Sequence, residues 1–237
     1  MTSVAVFDLD NTLVRGSSLF HFGWLLVRKR VISPVQILRY TATEISYVRR
    51  TSEREGLPAQ LAEKILGLVK GASEEVLLEY VQEFARTTLH AHLVDDVLKE
   101  VRNFQKLGVP CYLATASPQE LASAIAQELG MTGAIGTQSQ VYEGFYTGHL
   151  ASPICHGAEK AWRVARLMDR NNYDKTSAWA YSDSINDLPL LALVGHPVAV
   201  NADKSLRQIA QLNSWPILNS KRTFESMVFD GEVLPGL

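Results

Sequence analysis

A short apolar run that ends in acidic residues constrains the fold of this chain more than any other feature. Ser3–Phe7 is apolar and rich in β-branched side chains, which predicts a buried parallel strand. The strand runs directly into the polar stretch from Asp8 to Thr12, which includes Asp10. Open parallel sheets bind ligands outside the carboxyl ends of their strands. The first strand therefore predicts a ligand site beside Asp8 and Asp10.

Strand and helix patterns alternate after residue 108. Strands are predicted over 109–115, 177–182 and 198–200, a hairpin over 141–151, and helices over 158–169, 185–194 and 203–212. Ser117 is predicted to cap a helix that has Pro118 as its first residue and runs to Leu129. Strands that alternate with helices form a parallel sheet covered on both faces. The predicted fold class is therefore α/β.

The segment 14–108 has a different pattern. Its apolar residues recur three and four positions apart, as from Val76 to Phe84, and no strand pattern is found. We predict an all-helical domain inserted after the first strand. The predicted domains are a core of 1–13 and 109–220, a cap of 14–108 and a weakly patterned tail of 221–237.

Composition excludes several classes of protein. Apolar residues make up 46% and charged residues 20%, and 23 basic against 25 acidic residues give a net charge of −2. This balance excludes a disordered chain and a polybasic nucleic-acid module, and no apolar run reaches the roughly 18 residues of a membrane span. The start lacks a basic region, so no signal peptide is expected. Cys111 and Cys155 lack metal-site spacing. A cytoplasmic protein is expected.

Polar groups follow three of the predicted strands, and each group alone has a simple structural explanation. The pair Asp8 and Asp10 can cap a polar loop, and Asp183 and Asp187 can complement the dipole of a helix N-terminus. Thr115 can end a strand. Two carboxylates on one side of an extended run repel each other unless a cation or proton lies beside them. Alternatively, one of the two carboxylates can act as a nucleophile, as in aspartyl-phosphate chemistry. Mg²⁺ suits such an oxygen-rich site.

The polar groups indicate more together than singly. Lys160 lies on a predicted amphipathic helix, where a lone lysine is normally solvated. An acidic pair, a hydroxyl, a lysine and a second acidic pair nevertheless occur in an order that suits phosphoryl transfer, which needs positioning and charge neutralisation.

The same residues resemble the four motifs of the haloacid dehalogenase superfamily. The match comprises Asp8–Leu13, Thr115, Lys160 and Tyr181–Asp187. The pattern is similar to the phosphoserine-phosphatase-like branch, subfamily IB, and the helical insert resembles its C1 cap. The resemblance implies an α/β, Rossmann-like core with a parallel sheet and an inserted helical C1 cap domain. It also implies a phosphoric monoester hydrolase.

The resemblance further implies a role for each acidic residue. Asp8 would attack phosphorus and form an aspartyl-phosphate. Asp10 would protonate the leaving alcohol and then deprotonate the hydrolytic water. Mg²⁺ would be held by the Asp8 carboxylate, the Asp10 backbone carbonyl and Asp183, with Asp187 as outer-shell support. The phosphate would be bound by the remaining motif residues: Thr115, Ala116, Lys160 and Asn186.

The pattern departs from phosphoserine phosphatases at the substrate end. Their glutamate nine residues after the nucleophile corresponds to Ser17 here, and their serine–glycine–glycine second motif corresponds to Thr115–Ser117. Ser17 and His21 are therefore candidates for substrate specificity. The expected function is Mg²⁺-dependent hydrolysis of a small phosphorylated metabolite, with phosphoserine and histidinol phosphate as candidates, by a monomer or homodimer that binds no nucleic acid. The alternatives are a phosphotransferase of the same family and a non-catalytic binding protein with this fold.

Overall fold

A six-stranded parallel sheet forms the centre of the molecule. The computed structural model describes residues 2–33, 35 and 66–220. The strands are ordered β3-β2-β1-β6-β7-β8, and each pairs in parallel with its neighbours. The bounds of these strands are β1 Ala5–Phe7, β2 Cys111–Pro118, β3 Gly133–Thr137, β6 Trp179–Ser182, β7 His196–Val200 and β8 Ile217–Leu218. A separate antiparallel hairpin consists of β4 Ser139–Tyr142 and β5 Phe145–Leu150.

Helices precede and follow most strands, as the alternating pattern predicts. The described α-helices are α1 Ser18–Arg28, α2 Glu74–Thr87, α3 Asp95–Lys106, α4 Gln119–Glu128, α5 Gly157–Asn171, α6 Leu188–Leu191 and α7 Lys204–Leu212. Single 3₁₀ turns span Gly67–Val69, Leu89–His92, Lys175–Ser177 and Ile185–Asp187. In the described part of the chain, no helix is long and apolar enough to cross a membrane.

The first strand is apolar because both of its faces are buried. Ala5 and Phe7 belong to the hydrophobic cluster on one face of the sheet, and Val4 and Val6 belong to the cluster on the other face. All four are fully buried. Side chains of a strand alternate between faces, so a strand covered on both sides is apolar at every position. The prediction of a parallel sheet with helices on both faces is confirmed.

The described part of the insert is helical and contacts the sheet directly. No strand of the sheet or hairpin falls within its described residues, 14–33, 35 and 66–108. On α3, the ring of Phe104 lies 6.2 Å from Phe7 and 5.5 Å from Trp179, measured between centroids. The final helix of the segment 14–108 therefore shares the core of the sheet. The cap residues 36–65 and the tail 221–237 lie outside the described residues, and the domain boundaries stay a prediction.

Two local predictions were wrong in detail. The strand β2 continues to Pro118, so α4 begins at Gln119 and Ser117 is not its N-cap. The helix predicted over 185–194 is a 3₁₀ turn followed by the four-residue α6. The short edge strand β8 was not predicted from the sequence, because two residues show no pattern. The hairpin and the last helix were predicted within a few residues.

Candidate active site

The predicted motif residues meet at the carboxyl ends of three adjacent strands. Asp8 follows β1, Thr115 lies near the end of β2, and Asp183 follows β6. Because β1 is paired with both other strands, these three residues become neighbours. They line a cavity of about 290 Å³ together with Asp10 and Lys160. This volume is at the lower end of the range for small-molecule sites.

A buried lysine holds two aspartates on one side of the cavity. Lys160 Nζ donates to Asp8 Oδ1 at 2.7 Å and to Asp187 Oδ2 at 2.8 Å. Ser182 Oγ donates to the same Asp187 oxygen at 2.7 Å. Lys160 is only 2% exposed, although it lies on an amphipathic helix. Its burial excludes the simple reading of a solvated surface lysine.

Four aspartates and one lysine are among the described residues that line the cavity. This excess of negative charge contributes to the raised pKa values of Asp8 and Asp183. Burial and the charge of Asp187 raise the pKa of Asp8 to about 7, against the opposing effect of Lys160. Burial and the charges of Asp8 and Asp187 raise the pKa of Asp183 to about 8. Burial alone would lower the pKa of Lys160, but Asp187 and Asp8 raise it above its usual value. The lysine therefore stays protonated and neutralises only part of the negative charge.

The second aspartate of the first motif has neutral partners. Asp10 Oδ1 accepts from the backbone N–H of Ser18 at 2.6 Å, and Oδ2 accepts from Ser117 Oγ at 3.2 Å. The hydroxyls of Ser18 and Ser117 lie 3.0 Å apart and form a hydrogen bond. Burial raises the pKa of Asp10, and the hydrogen bonds from Ser18 and Ser117 lower it in part. We call Asp10, Ser18 and Ser117 the Asp10 clamp.

Some of the other predicted site residues lie at the cavity. Thr115 and Ala116 line it, and Thr115 Oγ1 accepts from the backbone N–H of Ser117 at 3.1 Å. Ser17 also lines the cavity, where its hydroxyl caps α1 by accepting from Phe20 N at 3.2 Å.

Two predicted residues lie elsewhere. Asn186 is exposed and does not line the cavity. His21 does not line it either, because its ring stacks on His92 at 3.7 Å and its Nε2 bonds the carbonyl of Arg15 at 2.8 Å.

Sequence reasoning missed the partners of Asp10 and several residues that line the cavity, including His156. Ser117 lies two residues after Thr115 in a strand, and this spacing puts both side chains on one face. The proline and glutamate that follow Ser117 instead predict a helix cap. Ser18 enters the site from the start of α1, and His156 lines the cavity just before α5. No local pattern marks these two residues.

The donor set suits a hard divalent cation. In the described residues, no three His, Cys, Asp or Glu side chains are grouped as metal ligands. The predicted set needs only two side chains, Asp8 and Asp183, together with a backbone carbonyl of Asp10. Burial raises the pKa of both carboxylates, Asp187 raises both pKa values further, and Asp8 adds to the shift of Asp183. A bound cation relieves this excess of negative charge. Asp187 Oδ1 is also buried without a hydrogen-bond partner. The residues present therefore fit Mg²⁺, whose usual ligands are carboxylates, carbonyls and waters.

Comparisons with known proteins agree with this geometry. The chain is 35% identical over 217 residues to the phosphoserine phosphatase SerB1 of Mycobacterium tuberculosis, covering 92% of this chain and 70% of that protein. It is 30% identical over 227 residues to a histidinol-phosphatase of Neisseria meningitidis, covering 93% and 100% respectively.

A solved structure shares the fold over nearly its whole length. A protein of unknown function from Bordetella pertussis Tohama I matches with a TM-score of 0.81 and 29% identity, covering 93% of this chain and all of that one. The family model of the haloacid dehalogenase-like hydrolases matches residues 5–192. The chain therefore belongs to the haloacid dehalogenase-like hydrolases.

Proposed function

We propose that this protein is a Mg²⁺-dependent phosphatase that hydrolyses a small phosphomonoester through an aspartyl-phosphate. The observation that supports this most directly is the buried contact between Asp8 and Lys160 at 2.7 Å, at the end of the central strand. An anionic nucleophile and a phosphate dianion repel each other unless cations lie beside them. The names of the two phosphatase relatives support the same reaction class.

The proposed reaction uses the two aspartates of the first motif in turn. Lys160 binds Oδ1 of Asp8, so we assign Oδ2 to the attack on phosphorus. The phosphorus–oxygen bond of the ester breaks, and the leaving alkoxide takes a proton from Asp10. Water then attacks phosphorus and gives a proton to Asp10. The bond between phosphorus and Oδ2 of Asp8 breaks, which releases phosphate and restores the Asp8 carboxylate. Such proton transfers contribute about 10²–10⁴-fold to the rate.

The remaining site residues would bind charge. Thr115 and Ala116 lie where phosphate oxygens would be held, and Lys160 would neutralise the phosphoryl group as well as Asp8. Asp8, Asp183 and the Asp10 carbonyl would hold Mg²⁺, with Asp187 supporting them through Lys160. When bound, the metal supplies neutralisation of charge on the phosphoryl group. Asn186 would have to move to reach the phosphate, since it is exposed here.

Phosphoserine and histidinol phosphate are the first substrates to test, because the two relatives are named for them. Phosphate release should be measured with Mg²⁺ for both compounds and for p-nitrophenyl phosphate, beside Asp8→Asn and after chelation with EDTA. Release that requires both Asp8 and Mg²⁺ supports the proposal. Transfer of the phosphoryl group to an added alcohol in preference to water would indicate a phosphotransferase. Binding without either reaction would indicate a non-catalytic protein.

A further inference from the structure

Four large aliphatic side chains line the cavity beside the proposed phosphoryl site, and the reaction does not use them. They come from four separate places: α1, the residue before the 3₁₀ turn Gly67–Val69, the end of β5, and the loop before α5. These side chains are Leu19, Leu66, Leu150 and Ile154. Leu66 is buried and the other three are half-buried. We call these four residues the apolar wall.

The same cavity offers little charge beyond its catalytic end. Among the described residues that line it, the ionisable side chains are those of the phosphoryl site and, in addition, His156. Burial and the neighbouring Lys160 lower the pKa of His156, so the imidazole is neutral at pH 7. Among the described lining residues, an ammonium or carboxylate on the organic part of a substrate would find no charged partner beyond the phosphoryl site, and the loss of its hydration would be costly.

The cavity residue Ser17 uses its hydroxyl as an acceptor within the chain. Ser17 stands where phosphoserine phosphatases have a glutamate, and its hydroxyl accepts from the N–H of Phe20 at 3.2 Å as the cap of α1. A serine hydroxyl cannot supply the negative charge of a carboxylate. Beyond the phosphoryl site, the described lining therefore offers a zwitterionic group neutral polar side chains and no charged partner, and it offers an apolar group the apolar wall.

The geometry points to a substrate whose organic group is uncharged and mainly apolar, bound against the apolar wall while its phosphate lies between Asp8 and Lys160. This inference rests on the proposed phosphatase function. It narrows the substrate class to alkyl-type phosphomonoesters, for which kcat/KM should be higher than for phosphoserine. Burying one methylene group is worth up to about a fourfold gain in affinity, so chain length is the natural variable to test.

The experiment compares kcat/KM for ethyl, propyl, butyl and hexyl phosphate with that for phosphoserine, using the full chain with Mg²⁺. The alcohols of this series have nearly equal acidity, so a trend in kcat/KM reports contact with the chain and not leaving-group chemistry. We expect a rise of about twofold to fourfold per methylene until the cavity is filled. Propyl phosphate should have a higher kcat/KM than phosphoserine, which has a similar length but carries two extra charges. A flat series, or a preference for phosphoserine, would overturn the inference.

Two variants locate the effect. Leu150→Ala and Ile154→Ala should each flatten the dependence of kcat/KM on chain length, because each removes part of the apolar wall. Leu212→Ala is the matched control, because Leu212 is 75% exposed on α7 and does not line the cavity. An unchanged slope in both wall variants would contradict the assignment of these residues.

A binding measurement separates this inference from the proposed function. Alkyl phosphonates of the same chain lengths can be titrated calorimetrically into the wild-type protein with Mg²⁺, and no turnover is needed. If no ester is hydrolysed but affinity still rises with chain length, the phosphatase proposal fails and the apolar subsite stands. If esters are hydrolysed but the affinity for phosphonates does not change with chain length, the inference of an apolar subsite is contradicted and the phosphatase proposal stands.

Discussion

Asp8 and Asp10 are two residues apart, yet the carboxylate of Asp8 has a charged partner and that of Asp10 has neutral partners. Asp8 contacts the charged amine of Lys160 at 2.7 Å. Asp10 contacts a backbone N–H and a serine hydroxyl, which are both neutral. The partners of Asp8 come from the sheet and α5, whereas the clamp on Asp10 includes the first residue of α1. The difference suits two separate roles, because a nucleophile must stay ionised while an acid–base group must gain and lose a proton.

The contrast also has an energetic side. Burial raises the pKa of both groups, so each pays for its ionised form. Lys160 offsets that cost for Asp8 by direct attraction between opposite charges, whereas Ser18 and Ser117 offset it for Asp10 through hydrogen bonds from neutral donors. Variants that exchange or remove one set of partners should therefore have effects of different size and kind.

Asp8→Asn should produce the largest effect. An amide has no negative charge with which to attack phosphorus, so kcat should fall by at least about 10³-fold. The measurement is steady-state phosphate release with saturating Mg²⁺, with circular dichroism to show that the fold is kept. Asp169→Asn is the control, because the side chain of Asp169 is 65% exposed. Retention of a tenth or more of the activity in Asp8→Asn would remove the nucleophile assignment.

Asp10→Asn should produce a smaller loss that depends on the leaving group. Loss of a general acid–base costs about 10²–10⁴-fold with an alkyl ester. With p-nitrophenyl phosphate the departing phenolate needs no proton, so the first step should be nearly normal while hydrolysis of the aspartyl-phosphate stays slow. Rapid-mixing kinetics should therefore show a burst of p-nitrophenol. Equal losses with both esters and no burst would place Asp10 outside proton transfer.

The two sides of the cavity were not equally predictable from sequence. Asp8 and Asp183 follow apolar strands and Thr115 lies near the end of one. Parallel pairing brings such strand ends together, so the meeting of these residues follows from topology. The Asp10 clamp depends on how α1 packs, and no local pattern encodes that packing. Ser117 shows the conflict clearly. Its sequence context predicts a helix cap, but β2 continues past it and its hydroxyl binds Asp10.

Ser117→Ala should produce a moderate effect that is specific to Asp10. The hydrogen bond from Ser117 lowers the pKa of Asp10, so its removal should raise that pKa. The limb of the pH–kcat profile that reports Asp10 should then move to higher pH. The loss of one bond to a charged group predicts a change in kcat of about tenfold. Ser123→Ala is the control, since Ser123 is exposed on α4. A uniform loss of kcat without a shift of the profile would indicate a merely structural role.

Mg²⁺ should stabilise the fold. The size of this stabilisation should depend on pH, because Asp8 and Asp183 have raised pKa values. The folded pKa values of Asp8 and Asp183, about 7 and about 8, lie above the ordinary value of 3.8. The folded protein thus holds these protons more tightly than the unfolded chain, and stability without metal should fall as pH rises from about 4 to about 8. A cation among the carboxylates removes that cost, whereas at pH 5 it must displace protons.

Thermal unfolding should therefore show a rise in Tm of several degrees with saturating Mg²⁺ at pH 8 and a clearly smaller rise at pH 5. Asp183→Asn should abolish most of the difference, because it removes one of the two mutually repelling carboxylates. Ser117→Ala should leave the difference intact, because Ser117 contacts Asp10 and not Asp8 or Asp183. An equal rise in Tm at both pH values would mean that the cation binds elsewhere. Lys160 alone would then distinguish the surroundings of Asp8 from those of Asp10.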